Sequence, residues 1–108
     1  MLVKTERRDG SWVPAMSQTK HDTGRTPKAI GARVSRIREI TGLTQTAFAK
    51  GVGATQGTLS AWESGKRPPG LKAGHALCDA YGVTLDYIFR GDISGLAQSF
   101  LRELNKLV

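Results

Sequence analysis

The stretch Thr44–Gly65, TQTAFAKGVGATQGTLSAWESG, decides the fold. Thr44 and Thr55 each precede a helix-compatible run, and each hydroxyl can accept a hydrogen bond from the free amides of the first turn. Counting Gln45 as the first helical position, Ala49 is fifth, Gly53 ninth, Leu59 fifteenth and Trp62 eighteenth. A small residue at Ala49 lets two helices cross closely, and Gly53 permits the positive φ that a tight turn between them often needs. Leu59 and Trp62 share one helical face, so burying them turns the opposite face outward. The pattern predicts a short helix after Thr44 with Ala47, Phe48 and Val52 inside, ended by Gly53. A second follows from Thr55 and stops at Ser64-Gly65.

Working outward, Ile30, Val34, Ile37 and Ile40 recur at helical spacing with Arg33, Arg36 and Arg38 between them, which predicts a first helix from Pro27 to about Gly42. On the other side, the basic loop Gly65-Lys66-Arg67-Pro68-Pro69-Gly70 leads to a fourth helix outlined by Leu71, Leu77, Ala80 and Tyr81 and stopping at Gly82. Thr84 begins a fifth, with Leu85, Ile88 and Phe89 inward and Gly91 at its end. No stretch alternates with period two long enough to argue for a sheet. The expected fold class is all-α: a compact five-helix domain over residues 28–92. Gly51 and Gly74 fall inside helices at about 1 kcal/mol each relative to Ala, a cost the sequence leaves unexplained.

Residues 93–108 are expected to add a C-terminal amphipathic helix, from Ser94 to Val108. Leu96, Phe100, Leu104 and Leu107 form its stripe, flanked by Ala97, Leu101 and Val108. An exposed stripe of that size is an aggregation liability, so either its own domain or a partner's copy must cover it. Residues 1–27 are polar and broken by Gly10, Pro14, Gly24 and Pro27, with too little apolar surface to offset ordering entropy. They predict a flexible N-terminal tail.

Sixteen Lys and Arg against nine Asp and Glu leave a net charge of +7 over 108 residues. Nine of those bases and four of the acids fall in residues 28–91, so the surplus lies mainly on the expected domain, where it can face a polyanion. A single cysteine, Cys78, excludes an internal disulfide and with it a secreted disulfide scaffold. No apolar run approaches the ~20 residues of a membrane span, and the N-terminus lacks the apolar core of a signal peptide. A cytoplasmic protein without membrane attachment is expected. His75, Cys78 and Asp79 share a helical face, but one Cys and one nearby His fall short of a metal-ligand set. No metal, no cofactor and no enzyme constellation is expected.

The chain resembles the Xre/Cro-type helix-turn-helix family, the DNA-binding domain of lambdoid phage repressors. The likeness runs from about Ile30 to Asp92 through Gly42-Leu43-Thr44-Gln45, Thr55-Gln56, Thr58, Ser60, Trp62-Glu63-x-Gly65-Lys66-Arg67-x-Pro69 and Gly82-Val83-Thr84-Leu85-Asp86-Tyr87. Several blocks in order at family spacing make it specific. The resemblance implies a lambda-repressor-like fold whose third helix enters a major groove about 12 Å wide. Gln45 matches the glutamine that hydrogen-bonds a DNA phosphate and braces the recognition helix. Gln56 matches the glutamine that reads a base, typically adenine through both amide atoms. Gly57 and Ala61 occupy positions that in relatives often carry longer base-contacting side chains, which leaves Thr58, Ser60 and Ser64, a methyl contact from Ala61, and DNA shape as further sources of readout.

Lys66 and Arg67 match the backbone-contacting loop after the recognition helix; Thr55, Ser64, Arg33, Arg36, Lys50 and Lys28 are further backbone candidates. Arg38 and Glu63 match a pair that relatives hold as a partly buried ion pair of structural role. The expected function is sequence-specific binding of double-stranded DNA as a transcriptional regulator, a repressor on a pseudo-palindromic operator. A homodimer would place half-sites about one helical turn apart. The alternative is an antitoxin-like module whose N-terminal tail or C-terminal helix binds a protein partner, with DNA binding secondary.

Overall fold

Threonine hydroxyls start four of the helices. The computed structural model describes Lys4–Glu6, Trp12–Pro14 and residues 23–107. Its helices are α1 (Pro27–Thr41), α2 (Gln45–Gly51), α3 (Gln56–Ser64), α4 (Leu71–Tyr81), α5 (Leu85–Arg90) and α6 (Gln98–Lys106). Thr26, Thr44, Thr55 and Thr84 stand just before α1, α2, α3 and α5, and each hydroxyl accepts from the amide three residues on, at 3.1, 3.2, 3.1 and 3.0 Å. Each such cap contributes about 1 kcal/mol. Pro27 takes the first position of α1, where its missing N–H costs nothing.

The core joins all six helices or their flanks. Val34, Ile37, Phe48, Ala49, Leu59, Leu77 and Ile88 are fully buried, with Ile30, Trp62, Val83, Tyr87 and Leu96 nearly so. Between α2 and α3 the turn differs slightly from expectation. α2 stops at Gly51 under a Val52 cap, and Gly53, at φ 72°, makes the bend rather than ending the helix. The Ala54 amide then reaches back to the Ala49 carbonyl at 2.9 Å, which closes the turn tightly enough to bring α3 onto α2.

The inward side of α4 is a correction. Leu71 is 66% exposed and Ala80 also faces solvent, while Gly74 and Leu77 are buried. Tyr81 stacks on Phe48 with centroids 4.2 Å apart and planes at 5°, and its hydroxyl donates to the Phe48 carbonyl at 2.9 Å. That packing explains Gly51, where a Cβ would lie 2.4 Å from the Tyr81 hydroxyl. Gly74 is explained likewise, by the Phe89 ring at 2.7 Å from any Cβ.

α6 lies against its own domain. Leu96 is buried in the turn before it, and Phe100, Leu101 and Leu104 pack half-buried on the core. Phe100 meets Tyr87 edge-on at 5.9 Å and 75°. The helix starts at Gln98 after an Ala97 cap, four residues later than Ser94, and Ala97 and Leu107 face solvent. Val108 lies outside the described residues.

At the other end, Thr23–Arg25 form a 3-10 turn and the Gly24 carbonyl accepts from Arg33, so the packed body begins ahead of residue 28. Two strands, β1 (Lys4–Glu6) and β2 (Trp12–Pro14), pair antiparallel with Thr5 opposite Val13. Strands of three residues are too short for alternation to register in a sequence. The rest of the expected tail lies outside the described residues. Among the described residues, no helix is long and apolar enough to cross a membrane.

Candidate nucleic-acid interface

α3 is pinned from behind. Leu59 is fully buried and Trp62 nearly so, and at about 100° per residue they set the outward direction opposite their shared side. Gly57, Ser60, Ala61 and Ser64 cluster around that outward direction, with Gln56 and Thr58 on opposite edges of the arc. Gln56, Gly57 and Ser64 are exposed; Thr58, Ser60 and Ala61 are half-buried. The centre of the face therefore carries only small side chains. α1 supports α3 at Gly31, where a Cβ would fall 2.0 Å from the Trp62 carbonyl, so only glycine permits the helices to touch there.

A chain of side-chain hydrogen bonds runs along the edge that holds Gln56. Arg38 on α1 grips Glu63 through Nε to Oε2 at 2.7 Å and Nη2 to Oε1 at 3.2 Å. Gln45 Nε2 donates to Glu63 Oε1 at 2.9 Å, and Gln56 Nε2 donates to Gln45 Oε1 at 2.7 Å. Glu63 is 10% exposed and Arg38 23%. The bonds to Glu63 push the Arg38 pKa above its ordinary value. Gln45 keeps a second N–H, and Gln56 keeps an N–H and its Oε1, so both amides retain groups for an external partner.

Cations frame the C-terminal end of α3. Lys66 and Arg67 are exposed, and their amides fold back to the Ala61 carbonyl at 3.0 and 3.2 Å. Pro69 is buried, which anchors the basic loop to the body. Lys28 at the start of α1 lies beside the same end, its Cα 2.8 Å from where a Gly65 Cβ would be.

The Helix-turn-helix family model matches residues 34–88, just over half of the chain. The chain belongs to the Xre-type helix-turn-helix family. Among solved structures it is similar to the P22 c2 repressor protein, crystallised in complex with synthetic operator 9T in the presence of Tl+. The TM-score is 0.56 and the identity 30%, over 58% of this chain and 96% of that one. No curated protein matches.

Within this helix-turn-helix domain two arginines leave the set of backbone candidates. Arg33 is 7% exposed: its Nε donates to the Ile88 carbonyl at 2.9 Å and its Nη2 to the Gly24 carbonyl. Burial pulls its pKa below the ordinary value. It ties α5 and the Thr23–Arg25 turn to α1 and has no surface to offer a phosphate. Arg36 is exposed but lies roughly 140° around α1 from Arg33's opposite neighbour Gly31, on the side of α5, where its charge acts on the Tyr87 hydroxyl. It is therefore turned away from α3. Lys50 is exposed about 7.5 Å along α2 from Gln45. Thr55 and Thr58 are joined hydroxyl to hydroxyl at 3.0 Å, so the cap of α3 occupies Thr55.

Sequence reading missed Gly31 and the Gln45 to Glu63 bond. The first had a signal, since a glycine inside a helix implies a close approach. The second had none, because an amide and a carboxylate far apart in sequence announce nothing until the helices cross.

Proposed function

We propose that the chain is a DNA-binding transcriptional regulator, a repressor that holds a pseudo-palindromic operator as a homodimer with α3 in the major groove. The observation that carries the reading is the outward arc of α3. Its small central residues let the helix backbone approach base edges closely, while Gln56 stands at the edge with a free donor and a free acceptor. Adenine offers the matching pair in its N7 and N6 groups. In this reading the Ala61 methyl meets a thymine methyl, Ser60, Ser64 and Thr58 add weaker polar contacts, and Gly57 contributes shape alone.

Gln45 has one N–H left for a phosphate oxygen, and Lys66, Arg67 and Lys28 supply charge at the other end of α3. These contacts fix register without reading sequence. One recognition helix of nine residues reaches few base pairs, so two copies supply the discrimination that one lacks. The similar P22 c2 repressor protein was crystallised in complex with synthetic operator 9T, which supports the DNA-binding reading.

Selection from a library of randomised DNA duplexes, followed by light scattering on the winning complex, tests the proposal. An enriched two-fold-related motif bound by two chains is expected. Recovery of sequences no different from the starting pool would refute it.

A further inference from the structure

We propose that Glu63 is a positioning residue for base readout: through Gln45 it fixes which way round Gln56 presents its amide, and so which order of acceptor and donor a base pair must offer. The inference rests on the DNA-binding reading above and extends it to a residue that touches no base.

The argument is one of polarity. An ionised carboxylate only accepts hydrogen bonds, whereas an amide group can both donate and accept and can be turned over at little cost. Glu63 is held by Arg38 through both carboxylate oxygens, and its Oε1 also accepts from Gln45 Nε2 at 2.9 Å. Because Glu63 cannot donate, Gln45 must turn its N–H toward it, and Gln45 Oε1 then faces α3. Gln56 answers with Nε2 at 2.7 Å. The amide of Gln56 thus has its nitrogen on the α2 side and its oxygen on the far side.

The base pair opposite must place an acceptor near α2 and a donor beyond it. An adenine in one strand orientation satisfies this through N7 and N6, and a pair presenting the reverse order does not. Burial of Glu63 strengthens the constraint, since little water is available to replace a bond made the wrong way.

Replacing Glu63 by glutamine supplies a group that can donate as well as accept, so both orientations of the relay become available. The test is selection from a randomised duplex library with the native protein and with Glu63→Gln, each at the same salt concentration. At the single base pair read by Gln56, the preference of the variant is expected to fall about fivefold or more, with preferences elsewhere in the motif retained. A purely structural Glu63 would weaken all positions alike, and that result, or an unchanged motif, overturns the proposal while leaving the DNA-binding reading intact. A native protein that selects no motif defeats both. Should Glu63→Gln fail to fold with Arg38 left unpaired, the double variant Arg38→Gln/Glu63→Gln strands no charge and is held to the same outcomes.

Discussion

Arg33 and Arg38 sit on the same helix, yet one closes the domain from inside and the other belongs to the relay beside α3. Replacing Arg33 with Met leaves two carbonyls without their donor, and the unfolding free energy is expected to drop by about 2–3 kcal/mol. Urea denaturation checks the loss, and DNA affinity of the folded variant should not change. Tyr87 presents the converse case, a buried hydroxyl that closes no hydrogen bond among the described residues although Arg36 stands near. Tyr87→Phe removes that unsatisfied group and is expected to raise stability by about 1 kcal/mol. Both tyrosines of the chain, Tyr81 and Tyr87, have hydroxyl pKa values pushed up by burial. A folded pKa above the unfolded value of about 10 favours the neutral form, so this stabilisation is complete below about pH 10 and is lost as pH climbs through the raised values. A phenolate absorbance titration of the native protein should therefore lag that of the unfolded chain.

Helix contacts set the angle at which α3 is offered. Gly31→Ala drives a methyl group into the Trp62 carbonyl, a backbone atom that cannot swing aside, and an overpacking cost of about 3 kcal/mol is expected in thermal or urea unfolding. Removing residues 94–108 strips Leu96 from the core and uncovers the Tyr87 ring. A stability loss of about 3 kcal/mol or more is expected, and an unaltered midpoint would show that α6 packs elsewhere. Five helices and the threonine caps of α2, α3 and α5 could be read in the sequence because caps, glycine stops and helical periodicity are local signals. The inward side of α4 could not, since Leu71 and Ala80 fit the helical period as well as Gly74 does, and the stacking of Tyr81 on Phe48 marks the side that turns inward. The same limit applies to the site: Gln45 and Gln56 stood out through the family motif, while the burial of Arg33 depends on where α5 ends, which no local pattern records.

The positive charge of the whole chain, +7, attracts any duplex, so affinity alone says little about specificity. Arg67→Ala should weaken selected and random DNA alike and make the salt dependence shallower by about one unit per bound chain. On the proposed reading, specificity instead depends on the small-residue face of α3 with one long amide at its edge, which is braced from α1 through Glu63 and Gln45. The most direct measurement is competition binding of native protein and Gln56→Ala, on library-selected and random duplexes at a single salt concentration. The loss on selected DNA is expected to be about 1–3 kcal/mol, with affinity for random DNA barely altered. Equal losses on both DNAs would contradict base reading by Gln56 and with it the account of α3 as the reading surface.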